Sequence, residues 1–171
     1  MTIYLAHGAS GSAASMADHV EGLRQRGFVA RAVGLPVGRA ERAVDEYRRQ
    51  VDDLATAIIG GQSYGGRVAS LLAAEQSPRA LVLMCYPLHR PGQPDADIRV
   101  QHWPHITCPV LLLSGEADPF ARLDLLRSTV AQLADARLIT YPRLGHSLRP
   151  VQDDALDRIA EFAREVAPES V

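Results

Sequence analysis

Six short apolar runs, separated by stretches of helical spacing, limit the folds open to this chain. The runs Ile3 to Ala6, Phe28 to Val33, Ala55 to Gly60, Ala80 to Cys85, Val110 to Leu113 and Arg137 to Tyr141 are rich in Val, Ile or Leu and read as buried strands. Helical patterns occupy Ser12 to Arg26, Arg39 to Leu54, Tyr64 to Glu75, Ala121 to Leu133 and, after the last strand, Asp153 to Val166. Strict alternation of this kind predicts an α/β fold, a doubly wound parallel sheet with helices on both faces. Ligands of such sheets bind outside the carboxyl ends of the strands, so the residues directly after each strand carry the functional argument.

The 171 residues, 47% hydrophobic and 22% charged, suit a single domain over 1–167 with a loose tail at 168–171. A net charge of -2 offers no electrostatic footprint for nucleic acid or an anionic membrane, so neither is expected as a partner. All 18 basic residues are arginine, which removes any lysine Schiff base or phosphate-loop lysine. Asparagine is absent too, and with it any glycosylation acceptor or any histidine oriented by asparagine. The opening "MTIYLA" is too short for a signal segment and no run approaches membrane-spanning length, so a cytoplasmic protein is expected. Cys85 ends one predicted strand and Cys108 precedes the next, on opposite edges of a parallel sheet, which argues against a disulfide.

The stretch "GGQSYGGR" sets one serine between two pairs of glycines, at a predicted strand-to-helix turn. Gly61-x-Ser63-x-Gly65 is the nucleophile-elbow pattern: the turn is so tight that side chains at the glycines would strike neighbouring backbone. Ser63 would then project its hydroxyl above the sheet at a helix N-terminus, where the dipole favours developing negative charge.

A serine hydroxyl needs a base, and the base needs an orienting acid. Asp118 follows the fifth strand in "VLLLSGEADPF" and His146 follows the sixth in "LITYPRLGHSL". Ser63, Asp118 and His146 therefore end three strands at one sheet edge, in the order Ser, Asp, His. Glu116 is the rival acid, nearer the strand. The oxyanion hole is expected from the backbone N–H of Tyr64 and one from "HGASG" after the first strand, with Ala9 chosen over its neighbours Gly8 and Ser10.

With these motifs in place the chain resembles an α/β-hydrolase from "HGASG" to "LGHSL". Together "GGQSYGGRVAS", "YPLHRPGQP" and "LLSGEADPF" resemble a small dienelactone-hydrolase-like branch, which includes a testis-expressed protein and the hydrolase-like subunit of a histone acetyltransferase complex. The resemblance implies the triad Ser63, Asp118 and His146 and an abbreviated six-stranded sheet lacking the first two strands of larger hydrolases. Gln62 departs from the basic residue of relatives, and Cys85 stands where relatives tend to have glycine. No lid fits the irregular, proline-rich connection from Tyr86 to Thr107. From that loop Tyr86 and His89 are expected to bind substrate, with His89 or Arg90 meeting a substrate anion; packing of the loop against the sheet is the competing expectation. His102-x-x-His105 lacks a third ligand, so no metal and no cofactor are expected.

The resulting expectation is a serine hydrolase of small carboxylic esters or thioesters, acting through an acyl-enzyme as a monomer or homodimer. The alternative is a non-catalytic interaction domain that keeps the elbow for structural reasons.

Overall fold

A computed structural model of the chain describes residues 1–94 and 98–167; the tail expected at 168–171 lies outside the described residues. Six parallel strands form one sheet in the order β2-β1-β3-β4-β5-β6. They are β1 (Thr2–Ala6), β2 (Val29–Val33), β3 (Ile58–Gln62), β4 (Ala80–Met84), β5 (Val110–Gly115) and β6 (Ala136–Tyr141). The helices are α1 (Ala17–Gln25), α2 (Ala40–Arg49), α3 (Tyr64–Glu75), α4 (Leu123–Thr129) and α5 (Gln152–Glu165).

Because successive strand side chains point to opposite faces, each strand feeds two cores. Tyr4, Ile59, Leu81, Leu83 and Leu112 pack with Tyr47, Leu72 and Leu126 of α2, α3 and α4 on one face. Ile3, Leu5, Ile58, Val82 and Leu113 meet Leu23 of α1 and Leu156 and Ile159 of α5 on the other. Burial on both faces is why the strands read as continuous apolar runs rather than alternating ones. None of the helices is long and apolar enough to cross a membrane among the described residues.

Two elements differ from the sequence expectation. The third strand is shifted: Leu54–Thr56 is a 3-10 turn whose cap, Asp53, accepts from the Ala55 N–H at 3.1 Å. The strand instead runs on to Gln62, since Gly61 pairs with Ala6 and Gln62 with Met84. The first helical stretch opens as a separate 3-10 turn, Ala13–Met16, held by reciprocal Ser12 and Ser15 hydrogen bonds, before α1 proper.

Strand order reverses between β1 and β3: the chain steps from β1 outward to β2, then returns to the other side of β1. The loops after β1 and β3 diverge at that point and leave a crevice, the usual ligand position in such sheets. The connection between β4 and β5 packs closely over the sheet. Trp103, fully buried, meets the Tyr86 ring at a tilt of 60° with centroids 5.1 Å apart, and the Tyr86 hydroxyl donates to the Arg99 carbonyl at 2.5 Å. The Arg99 N–H in turn donates to the Leu88 carbonyl at 2.9 Å. Among its described residues this connection holds one short 3-10 turn, Trp103–His105, and no lid.

Candidate active site

Ser63 is the whole connection between β3 and α3. Its backbone lies at φ 49° and ψ -112°, a left-handed conformation that costs a non-glycine residue on the order of 1–3 kcal/mol. The flanking glycines explain how this is tolerated. A Cβ on Gly61 would stand 2.5 Å from the Ala6 carbonyl oxygen and 2.8 Å from the Gly65 carbonyl carbon. One on Gly65 would stand 2.5 Å from the same Ala6 oxygen. The turn closes only because neither position carries a side chain. Hydrogen bonds from the Ser63 N–H to the Met84 carbonyl (2.8 Å) and from the Arg67 N–H to the Ser63 carbonyl (3.0 Å) hold it.

The loop after β6 brings His146 over this turn. Its Nε2 lies 2.7 Å from Ser63 Oγ, and its Nδ1 lies 2.7 and 2.9 Å from the two oxygens of Asp118. A carboxylate only accepts, so Nδ1 carries the hydrogen and Nε2 is left to accept from the serine hydroxyl. The Asp118 side chain is fully buried, whereas His146 keeps 23% of its side chain exposed. Asp118 is itself held by the Phe120 N–H, which donates to Oδ1 at 2.8 Å, and the Phe120 ring lies 4.2 Å from the imidazole centroid. Glu116, the rival acid, is turned elsewhere: it accepts from Thr140 Oγ1 at 2.8 Å.

The sequence reading passed over Gly115, which makes this meeting possible. A Cβ there would lie 2.2 Å from the Leu144 carbonyl oxygen and 2.3 Å from that of Gly145, so only glycine lets the His146 loop press against the end of β5. The visible signal was a glycine closing an apolar strand run, a mark of close backbone approach.

An open cleft of about 800 Å³ surrounds Ser63 and His146. Ala9, Gly8 and Ser10 from the β1 loop and Tyr64 all line it. Tyr64 is the first residue of α3, where a backbone N–H has no partner within the helix. Tyr86 and His89 do not line the cleft, which corrects the expectation that they bind substrate. Both are buried: Tyr86 is spent on Trp103 and the Arg99 carbonyl, and His89 accepts from the Arg122 N–H at 3.0 Å while donating to the Arg90 carbonyl at 2.8 Å. Their loop contributes Pro87, Arg90 and Arg99 to the cleft instead. His7 is also structural, its Nε2 accepting from the Leu35 N–H at 3.0 Å.

Cys85 follows β4 at φ 49°, a backbone conformation that glycine adopts more readily than cysteine. Together with Gln62, Cys85 lines a separate cavity of about 290 Å³ whose lining does not include Ser63, and its thiol is buried. Burial and the nearby Asp118 push it up to about 12.

A hydroxyl donating to an imidazole, which donates to a buried carboxylate, can supply an activated nucleophile beside backbone donors. The parallel sheet, the strained serine turn and this hydrogen-bonded chain are those of an α/β-hydrolase fold. Residues 34–169 match the family described as "Alpha/beta hydrolase domain", and the chain belongs to that family. It is similar to two uncharacterised proteins of Mycobacterium tuberculosis, 30% identical over 145 residues that cover 74% of this chain and 52% of each of theirs. The chain thus spans about half the length of the curated relatives it matches. Among solved structures, a monoacylglycerol lipase of Paleococcus ferrophilus superposes with TM-score 0.83 at 15% identity, over 97% of this chain and 95% of that one. A Mycobacterium tuberculosis protein provisionally described as a non-heme bromoperoxidase gives 0.85 at 14%, over 98% and 93%. At such identities the likeness is one of fold.

Proposed function

We propose that the chain is a serine hydrolase that cleaves small carboxylic esters or thioesters through an acyl-enzyme. The observation that carries this reading is the unbroken hydrogen-bonded path from Ser63 Oγ through His146 to buried Asp118. In this reading Ser63 Oγ attacks the carbonyl carbon while His146 Nε2 takes the hydroxyl proton. The tetrahedral oxyanion is met by the N–H groups of Tyr64 and Ala9. Its collapse breaks the bond to the leaving oxygen or sulfur, which receives the proton from His146. Water then attacks the acyl-serine, giving its proton to His146, and the acid departs as the Ser63 hydroxyl is restored. Asp118 stays ionised throughout and orients the imidazole.

The open cleft, with no lid among the described residues, supports small substrates, since a long acyl chain would leave most of its methylenes in water. That feature also agrees with a place in the dienelactone-hydrolase-like branch of the family. The test is labelling with a fluorophosphonate followed by mass identification of the modified residue. Modification of Ser63 is expected. An unlabelled protein that keeps its fold would overturn the reading in favour of a non-catalytic interaction domain.

A further inference from the structure

The walls of the cleft are strongly cationic although the chain as a whole carries a net charge of -2. Arg39, Arg67, Arg90 and Arg99 line it, and among the described lining residues the single carboxylate is Glu41. Glu41 is already engaged by Arg67, whose Nη2 donates to it at 2.6 Å. Arg67 stands one helical turn beyond Ser63, on the same side of α3, so a guanidinium lies along the face that presents the nucleophile. Arg39 and Arg90 are exposed and form no ion pair among the described residues. Arg39 also occupies the N-cap of α2, and the first turn of that helix, which carries Glu41, faces the cleft. Asp118 is buried behind His146 and is not among the residues that line the cleft, so its negative charge acts from the back of the site.

We infer that the cleft selects esters bearing a second, anionic group, a carboxylate or a phosphate, that arginine side chains hold while the ester carbonyl lies at Ser63. The inference rests on the hydrolase reading above and names its substrate class. A neutral acyl chain gains nothing from this wall, whereas a guanidinium fork meets a carboxylate or phosphate with two parallel hydrogen bonds. Arg90 is the first contact because it is exposed, lines the cleft and has no ion-pair partner among the described residues. Arg67 is held partly in reserve by Glu41.

The test compares matched pairs of substrates, each rate divided by the uncatalysed hydroxide rate of the same ester. In the acyl half, p-nitrophenyl hemiglutarate is set against p-nitrophenyl butyrate. In the alcohol half, 4-carboxyphenyl acetate and 4-phosphonophenyl acetate are set against phenyl acetate, which separates a carboxylate site from a phosphate site. In at least one pair kcat/KM is expected to favour the anionic ester by about tenfold, the worth of one charge-assisted contact. Arg90→Gln should cut that preference several-fold, Glu41→Gln should raise it by releasing Arg67, and 0.5 M salt should erode it. Binding is read separately on folded Ser63→Ala protein, by saturation-transfer NMR with monomethyl glutarate against methyl butyrate. Selective binding of the anion without turnover in the wild type would uphold the anion site and overturn only the hydrolase reading. Equal rates and equal binding within each pair, unmoved by Arg90→Gln, would overturn the inference.

Discussion

Ser63 and His146 lie 83 residues apart in the chain and 2.7 Å apart in space. Neither residue's own loop creates this contact. It follows from β3 and β6 being parallel members of one sheet, so that the loops after both leave the same edge. If Ser63, His146 and Asp118 act as a unit, replacing Ser63 by alanine is expected to lower kcat by about four to six orders of magnitude, with the melting temperature little changed because alanine keeps the Cβ and the same backbone turn. Steady-state kinetics and thermal denaturation of the variant check both halves.

Asp118 and Glu116 are two residues apart but have different partners. Asp118→Asn should reduce kcat by about 10⁴, since an amide favours the wrong imidazole tautomer. Glu116→Gln, whose polar side-chain partners among the described residues are Thr140 and the outer Arg127, should change kcat less than about threefold. The reverse order in measured kcat would contradict the assignment.

Gly65→Ala puts a methyl group 2.5 to 2.6 Å from Ala6 and His7 backbone atoms, which have no side-chain freedom with which to yield. Destabilisation of about 3 kcal/mol is expected by urea denaturation. Gly145→Ala is the control, its nearest neighbour being 4.0 Å away, and should move the midpoint little.

His102 sits against Ser70 Oγ at 2.8 Å, and burial, followed by the nearby Arg67 charge, lowers its pKa to about 4. His19 is lowered in the same direction by burial. The unfolded chain, with histidines near 6.5, therefore binds more protons than the native one between those values. Stability is complete above about pH 6.5 and falls as the pH drops toward 4. His102→Gln, which can still bond Ser70, should flatten that slope in part and leave the His19 share. Denaturant midpoints at pH 7.5, 6, 5 and 4.5 provide the measurement; parallel curves for the two proteins would contradict it.

Both cysteines are buried and free, with thiols pushed up to about 12 by burial. At pH 8 neither should react with a disulfide reagent in the folded protein, and two thiols should appear in denaturant. Rapid reaction of Cys85 in the native state would mean that the cavity beside Gln62 opens.

Much of this site was legible before any coordinates. The order of apolar runs gave a parallel sheet, and the run of glycines around Ser63 implied its strained turn. Asp118 and His146 were located by their places after strands. The substrate-binding roles expected of Tyr86 and His89 failed for a common reason. An aromatic ring and an imidazole in a proline-rich loop look equally able to face a cleft or a core. Here the partners that decide, Trp103, the Arg99 carbonyl and the Arg122 N–H, lie 17, 13 and 33 residues away along the chain.

By itself, the sequence determined what depends on local chemistry and period: strand and helix types, the elbow glycines Gly61 and Gly65 where no Cβ can fit, and a chain free of lysine. Hydrophobic period and backbone sterics act over a few residues, so they are written locally. The tertiary structure alone decided which carboxylate faces His146 and which arginines gather around Ser63. It also decided that Gly115 must be bare so that two loops can touch. Those outcomes depend on strand order and on the packing of segments far apart in sequence, where a shift of one residue turns a side chain from the cleft to the core.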